Sequence, residues 1–92
     1  MLKLISNEQF EMQGTNGRFI HCAEVHDSLK CRVYIFFYDM QTNKKYIEEV
    51  RGGSLIAIED DSRWNELLMF GSSHNLFPAV ISKNIPPKPI NG

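Results

Sequence analysis

The 92-residue chain is poor in cysteine, holds a single tryptophan and carries no excess of charge of either sign. Two cysteines are too few for a disulfide framework. Ten Lys and Arg against eleven Asp and Glu leave a formal net charge of -1. That balance argues against a duplex-DNA or membrane-surface binder, whose affinity comes from clustered cations, and equally against an acidic mimic of DNA. No apolar run approaches the roughly 18–20 residues that cross a bilayer. Met1 to Glu8 lacks a secretory apolar stretch, so a cytoplasmic protein is expected. No Walker loop, dinucleotide fingerprint, nucleophile elbow or HExxH occurs. The expectation is therefore no cofactor and no enzyme.

What is present reads as one α+β domain, mainly an antiparallel meander of roughly five to seven strands with one short helix in the C-terminal half. Leu2–Ile5, Phe10–Gln13, Arg18–His26, Cys31–Tyr38, Tyr46–Val50 and Ser54–Glu59 are the candidate strands, with Pro78–Ser82 as a last one. Asn16-Gly17 and Gly52-Gly53 suit primed hairpin turns, because these residues accept positive φ. Asp60, Asp61 and Ser62 offer N-cap oxygens for a helix over Arg63–Phe70. Trp64, Leu67 and Leu68 fall on one face of it, and Gly71 is the expected residue just past its end. The domain is assigned to residues 1–84, and the proline-rich 85–92 to an extended tail. Core candidates are Phe19, Val33, Ile35, Phe37, Ile47, Leu55, Ile58, Trp64, Leu67 and Val80.

Few residue groups suggest chemistry. Cys22, His26, Cys31 and His74 are the thiols and imidazoles of a conceivable zinc site. A hairpin turn over Asp27–Lys30 would set His26 opposite Cys31 and Cys22 opposite Ile35. The two thiols are then about 13 Å apart along the sheet, too far for one tetrahedral zinc or a disulfide. No metal site is expected on that ground. A Cys31–His26 nucleophile pair would lack oxyanion donors after Cys31. A cysteine- or metal-dependent enzyme is the least favoured class.

Glu48, Glu49, Glu59, Asp60, Asp61 and Glu66 concentrate negative charge in one stretch, with only Arg51 and Arg63 among them. That segment is the candidate contact surface for a protein partner with a basic surface. Tyr34, Phe36 and Tyr38 alternate on one face of the strongest strand beside Arg32, a pattern of single-strand stacking platforms, or of a strand covered on both faces.

Val50-Arg51-Gly52-Gly53-Ser54-Leu55-Ile56-Ala57-Ile58 resembles the second motif of Sm-type RNA-binding proteins, in which a hydrophobic-Arg-Gly turn precedes an apolar strand. The resemblance implies a ring-forming β-barrel that holds RNA through Arg51, with Tyr34 and Tyr38 beside it. Between Gly17 and Phe37 the chain departs from the family's first motif, and its helix follows the hairpin where the family's precedes the sheet. The leading expectation is a small non-enzymatic binding protein that occludes or bridges a surface of another macromolecule. Phage-type inhibitors of host defence or of nucleic-acid-processing complexes work in this way. The Sm-like RNA-binding module is the alternative.

Overall fold

The computed structural model describes residues 1–78. Six strands and one helix follow in the order β1 Leu2–Ser6, β2 Phe10–Glu11, β3 Phe19–Asp27, β4 Arg32–Asp39, β5 Lys44–Arg51, β6 Ser54–Ala57 and α1 Asp61–Ser73. All strand pairs are antiparallel, in the order β1-β3-β4-β5-β6, with β2 also on β3. β1 pairs with the later half of β3 and β2 with its start, so the two lie in line along one edge. The sheet is thus a meander of five positions whose first strand is interrupted at residues 7–9. The expected α+β class and meander are present. Pro78–Ser82, Val80 and the 85–92 tail lie beyond or almost beyond the described residues.

The turns follow local chemistry. Gly52 and Gly53 take φ of 59° and 82° and close the β5–β6 hairpin, a conformation nearly free of steric cost only for glycine. The β3–β4 and β4–β5 connections share another device. Each begins at a strand-ending aspartate, Asp27 or Asp39, whose Oδ1 accepts the N–H groups two and three residues on. Each ends at a left-handed residue, Cys31 with φ 52° or Asn43 with φ 61°. Short polar side chains that bond to nearby backbone N–H groups favour such turns. The pairing sets His26 opposite Val33 and Asp27 opposite Arg32, two residues from the expected register. The turn keeps four residues but starts one residue later, at Ser28, which accounts for the shift; the bulge between His21 and Ala23 then changes the register by one further along.

Asp60 caps the helix, its Oδ1 accepting from Ser62 N and Arg63 N. The helix runs three residues beyond the expected Phe70. Gly71 therefore lies inside it, and the left-handed residue after its end is Asn75, with φ 55°. Gly71 matters for packing instead, because a Cβ there would sit 2.6 Å from the Phe36 ring. Its bare backbone lets the helix approach the sheet.

The core is one-sided. Val25, Tyr34, Phe36, Tyr38, Ile47, Leu67 and Leu76 are buried between sheet and helix, with Ile58, Trp64, Leu68 and Phe77 packed against them. Five expected core residues, Phe19, Val33, Ile35, Phe37 and Leu55, point to the opposite face, where strand alternation places every second residue. Four of them, Phe19, Val33, Ile35 and Leu55, are half-buried or exposed, while the fifth, Phe37, is buried against Phe19 and Tyr46. Among the described residues no helix covers that face. The expectation that β4 is covered on both sides does not hold for these residues.

Two stability changes follow. Gly71→Ala should destabilise by about 1–3 kcal/mol in urea unfolding, because the added methyl overpacks Phe36. At a helix position with free space the same change would stabilise by roughly 0.5–1 kcal/mol, so the sign tests the close approach. Cys31→Asn should raise stability by up to about 1 kcal/mol in the same assay, since Asn tolerates the left-handed region better.

Candidate functional site

One end of the sheet gathers the β3–β4 turn, the β5–β6 turn and the start of the helix around Asp27. This carboxylate is 3% exposed. Its Oδ2 accepts from Arg63 Nη2, and its Oδ1 from Leu29 N at 2.9 Å, Lys30 N at 3.3 Å and the Met1 ammonium at 3.2 Å. Burial opposes its ionisation, but Arg63, the ammonium and the turn amides together hold its pKa well below the usual carboxylate range. Arg63 also donates from Nε and Nη2 to Tyr34 Oη at 3.2 and 3.1 Å, and from Nη1 to Glu66 at 2.8 Å. Burial alone would lower the Arg63 pKa; Tyr34, Glu66 and Asp27 raise it further, so it stays a cation. At the opposite end Asp39 is fully buried and receives Arg18 Nε and Nη2 at 3.1 and 2.9 Å, which holds its pKa low.

A groove of about 340 Å³ opens beside the Asp27 node. Lys30, Arg32 and Arg51 stand on its sheet side, Glu59 and Asp60 at the start of the helix, and Ile56 and Ile58 between. Glu49 is 8% exposed and joins two arginines: Oε2 accepts Arg51 Nε and Nη2 at 3.0 and 2.8 Å, and Oε1 lies 3.5 Å from Arg32 Nη1. This one carboxylate offsets two neighbouring guanidinium groups.

The six acidic residues do not share one surface. Glu49 is buried among arginines, Asp60 caps the helix, and Glu66 is paired with Arg63. Asp61 begins the helix exposed, and Glu59 lies at the groove. Glu48, next to Glu49 on the strand, points to the opposite face. Tyr34 and Tyr38 are 1% and 0% exposed, their hydroxyls bonded to Arg63 and Asn43, so neither presents a free ring face. Arg51 is accessible but tied to Glu49. The sheet order leaves β1 and β6 as separate edges, not a closed barrel, among the described residues. Cys22 is buried, which pushes its thiol up to about 11, while Cys31 is exposed in the turn and His74 stacks on Phe70 at the helix end. Among the described residues no group of three or more His, Cys, Asp or Glu could hold a metal ion.

The uncovered sheet face is the other feature. Across the strands run the rows Val33, Val50 and Leu55, then Glu24, Ile35 and Glu48, then Phe37 and Tyr46. Val33, Ile35 and Val50 are half-buried and Leu55 is 41% exposed. Phe19, Phe37 and Tyr46 pack ring to ring at one side of the face. Glu24 lies 3.3 Å from His21 Nε2, and Glu48 has no ion pair among the described residues. Sequence reasoning assigned no such place to Glu24, Asp27, Arg32 or Arg63. Only the polar turns after Asp27 and Asp39 signalled the buried carboxylates, through their fit to side-chain-capped turns.

Arg63→Ala should cost about 3 kcal/mol or more in chemical unfolding, because it strands a buried carboxylate, while Tyr34→Phe should cost about 1 kcal/mol. Asp27 and Asp39 have folded pKa values below their unfolded value of about 3.9. The unfolded chain then binds more protons in acid, so stability is full above that value and is lost as pH falls below it towards the lower folded values. Unfolding free energy should be level above about pH 5 and decline below it. The Asp27→Asn/Asp39→Asn variant should be less stable at neutral pH but show a shallower acid decline. No protein-family model, curated protein or solved structure matches the chain.

Proposed function

We propose that this is a non-enzymatic binding protein that covers a surface of a protein partner with the open face of its sheet. The observation that carries the reading is the row Glu24–Ile35–Glu48, which crosses an apolar face that the helix leaves free. The centre offers the adjacent apolar residues Val33, Ile35 and Val50, half-buried, and Leu55, 41% exposed, and exposed apolar patches mark interaction sites. The two carboxylates beside Ile35 fit a partner whose apolar anchor is flanked by Lys or Arg, since opposite charges around an apolar contact select the partner and speed its approach. The basic-surfaced partner expected from the sequence is retained, but its contact moves to the sheet face, where Glu48 alone of the six expected acids lies.

A probe of that chemistry tests the reading: a peptide with a Leu–Phe anchor between lysines, and its counterpart with glutamates. The lysine peptide should shift the methyl resonances of Val33, Ile35, Val50 and Leu55. Glu24→Gln/Glu48→Gln should weaken it about tenfold at low salt without changing the unfolding midpoint. Equal binding of both peptides, shifts confined to the groove, or contacts from residues 79–92 covering these methyls would each contradict the proposal. So would binding of RNA in place of the peptide.

A further inference from the structure

The two edges of the sheet are unequally protected against strand pairing. β1 carries the exposed Lys3 near its middle, and its register shifts between Leu4 and Ser6. A charge and an irregularity are the usual means by which edge strands avoid pairing with another chain. β6 has neither. Its residues Ser54, Leu55, Ile56 and Ala57 are all exposed, carry no charge and include no proline. Among the described residues β6 pairs only with β5. Leu55 and Ile56 are 41% and 36% exposed and project to opposite faces, so neither face of this edge is shielded.

Charge is graded along the same strand. β6 begins just after Arg51, whose side chain is 58% exposed although it is bound to Glu49. It leads through Ile58 to the exposed Glu59 and Asp60. The cationic end and the anionic end line the same groove, with Ile56 between them. Such a strand is complementary to itself when reversed.

We propose that β6 is a homodimer edge, occupied by β6 of a second copy of this chain in antiparallel register about Ile56. A two-fold axis normal to the sheet then sets Ile56 against Ile56 on the groove side and Leu55 beside Ala57 on the open side. Each copy's Arg51 meets Glu59 and Asp60 of the other. The two sheets join into one, and the two open faces become contiguous. Main-chain hydrogen bonds hold the pairing, as in other strand additions, and the charge ends fix its direction. An isologous contact of this kind closes on itself and does not grow into a fibre.

Sedimentation velocity over a concentration series of the full chain tests the proposal. The wild type should show a monomer–dimer equilibrium that weakens with added salt. Ile56→Lys places a charge at the edge and should raise the dissociation constant at least about tenfold. Glu59→Lys, at an exposed position, should weaken the dimer as well and keeps the proposal falsifiable should Ile56→Lys unfold. Met69→Lys, on the outer side of the helix, should leave the equilibrium unchanged. A wild type that remains monomeric at about 1 mM overturns the proposal. A dimer unaffected by Ile56→Lys and Glu59→Lys also overturns it.

Discussion

A single helix has to cover a sheet of five strand positions, and most of the molecule's properties follow from that. A helix is about 10 Å across with its side chains, and five strands at roughly 4.8 Å spacing are about twice as wide. One helix therefore seals one side at best. Its seat is set at two points. Gly71 removes the side chain that would hold the helix off Phe36, and Arg63 ties its first turn to Asp27 and Tyr34. The first contact sets the distance between layers and the second sets the helix along the sheet. Among the described residues the side chains on the other face have no helix over them, and only its aromatic end, around Phe37, is buried by its neighbours.

Charge is used structurally before any of it is available for binding. Asp27 and Asp39 end successive strands, at opposite ends of the sheet. Each binds its turn amides through Oδ1 and an arginine through Oδ2, and Asp39 Oδ1 also accepts Arg18 Nε. Glu49 joins Arg32 and Arg51 within the groove in a similar way. The balanced composition thus conceals a set of ions engaged in holding the fold and a smaller set left at the surface. Glu48 on the open face and Glu59 at the groove belong to the second set.

Local chemistry was well marked in the sequence. The glycine turn at Gly52-Gly53, the aspartate cap at Asp60 and the strand alternation from Arg32 to Tyr38 all signal their elements. What alternation could not reveal is which side of β4 faces the helix. Val33, Ile35 and Phe37 are as apolar as Tyr34, Phe36 and Tyr38, and hydrophobicity alone prefers the former set. The tyrosines are inside because each hydroxyl reaches a partner at the rim of the core, Arg63 for one and Asn43 for the other. Those partners are distant or loop residues, so no local pattern announces them. The candidate face was hidden for the same reason: Glu24 and Glu48 are far apart in sequence and meet around Ile35 only through the strand register.

The described residues thus form a one-sided scaffold, with a helix layer on one side and, on the proposed reading, a contact surface on the other. On that reading the face containing Val33, Ile35, Val50 and Leu55, which no helix covers among the described residues, is open in the free chain. Relaxation of methyl protons by a soluble paramagnetic probe measures that directly. Strong relaxation is predicted at these four residues and weak relaxation at Val25, Ile47 and Leu67. Equal protection of both sets would mean that the face is already covered, and would contradict the one-sided scaffold.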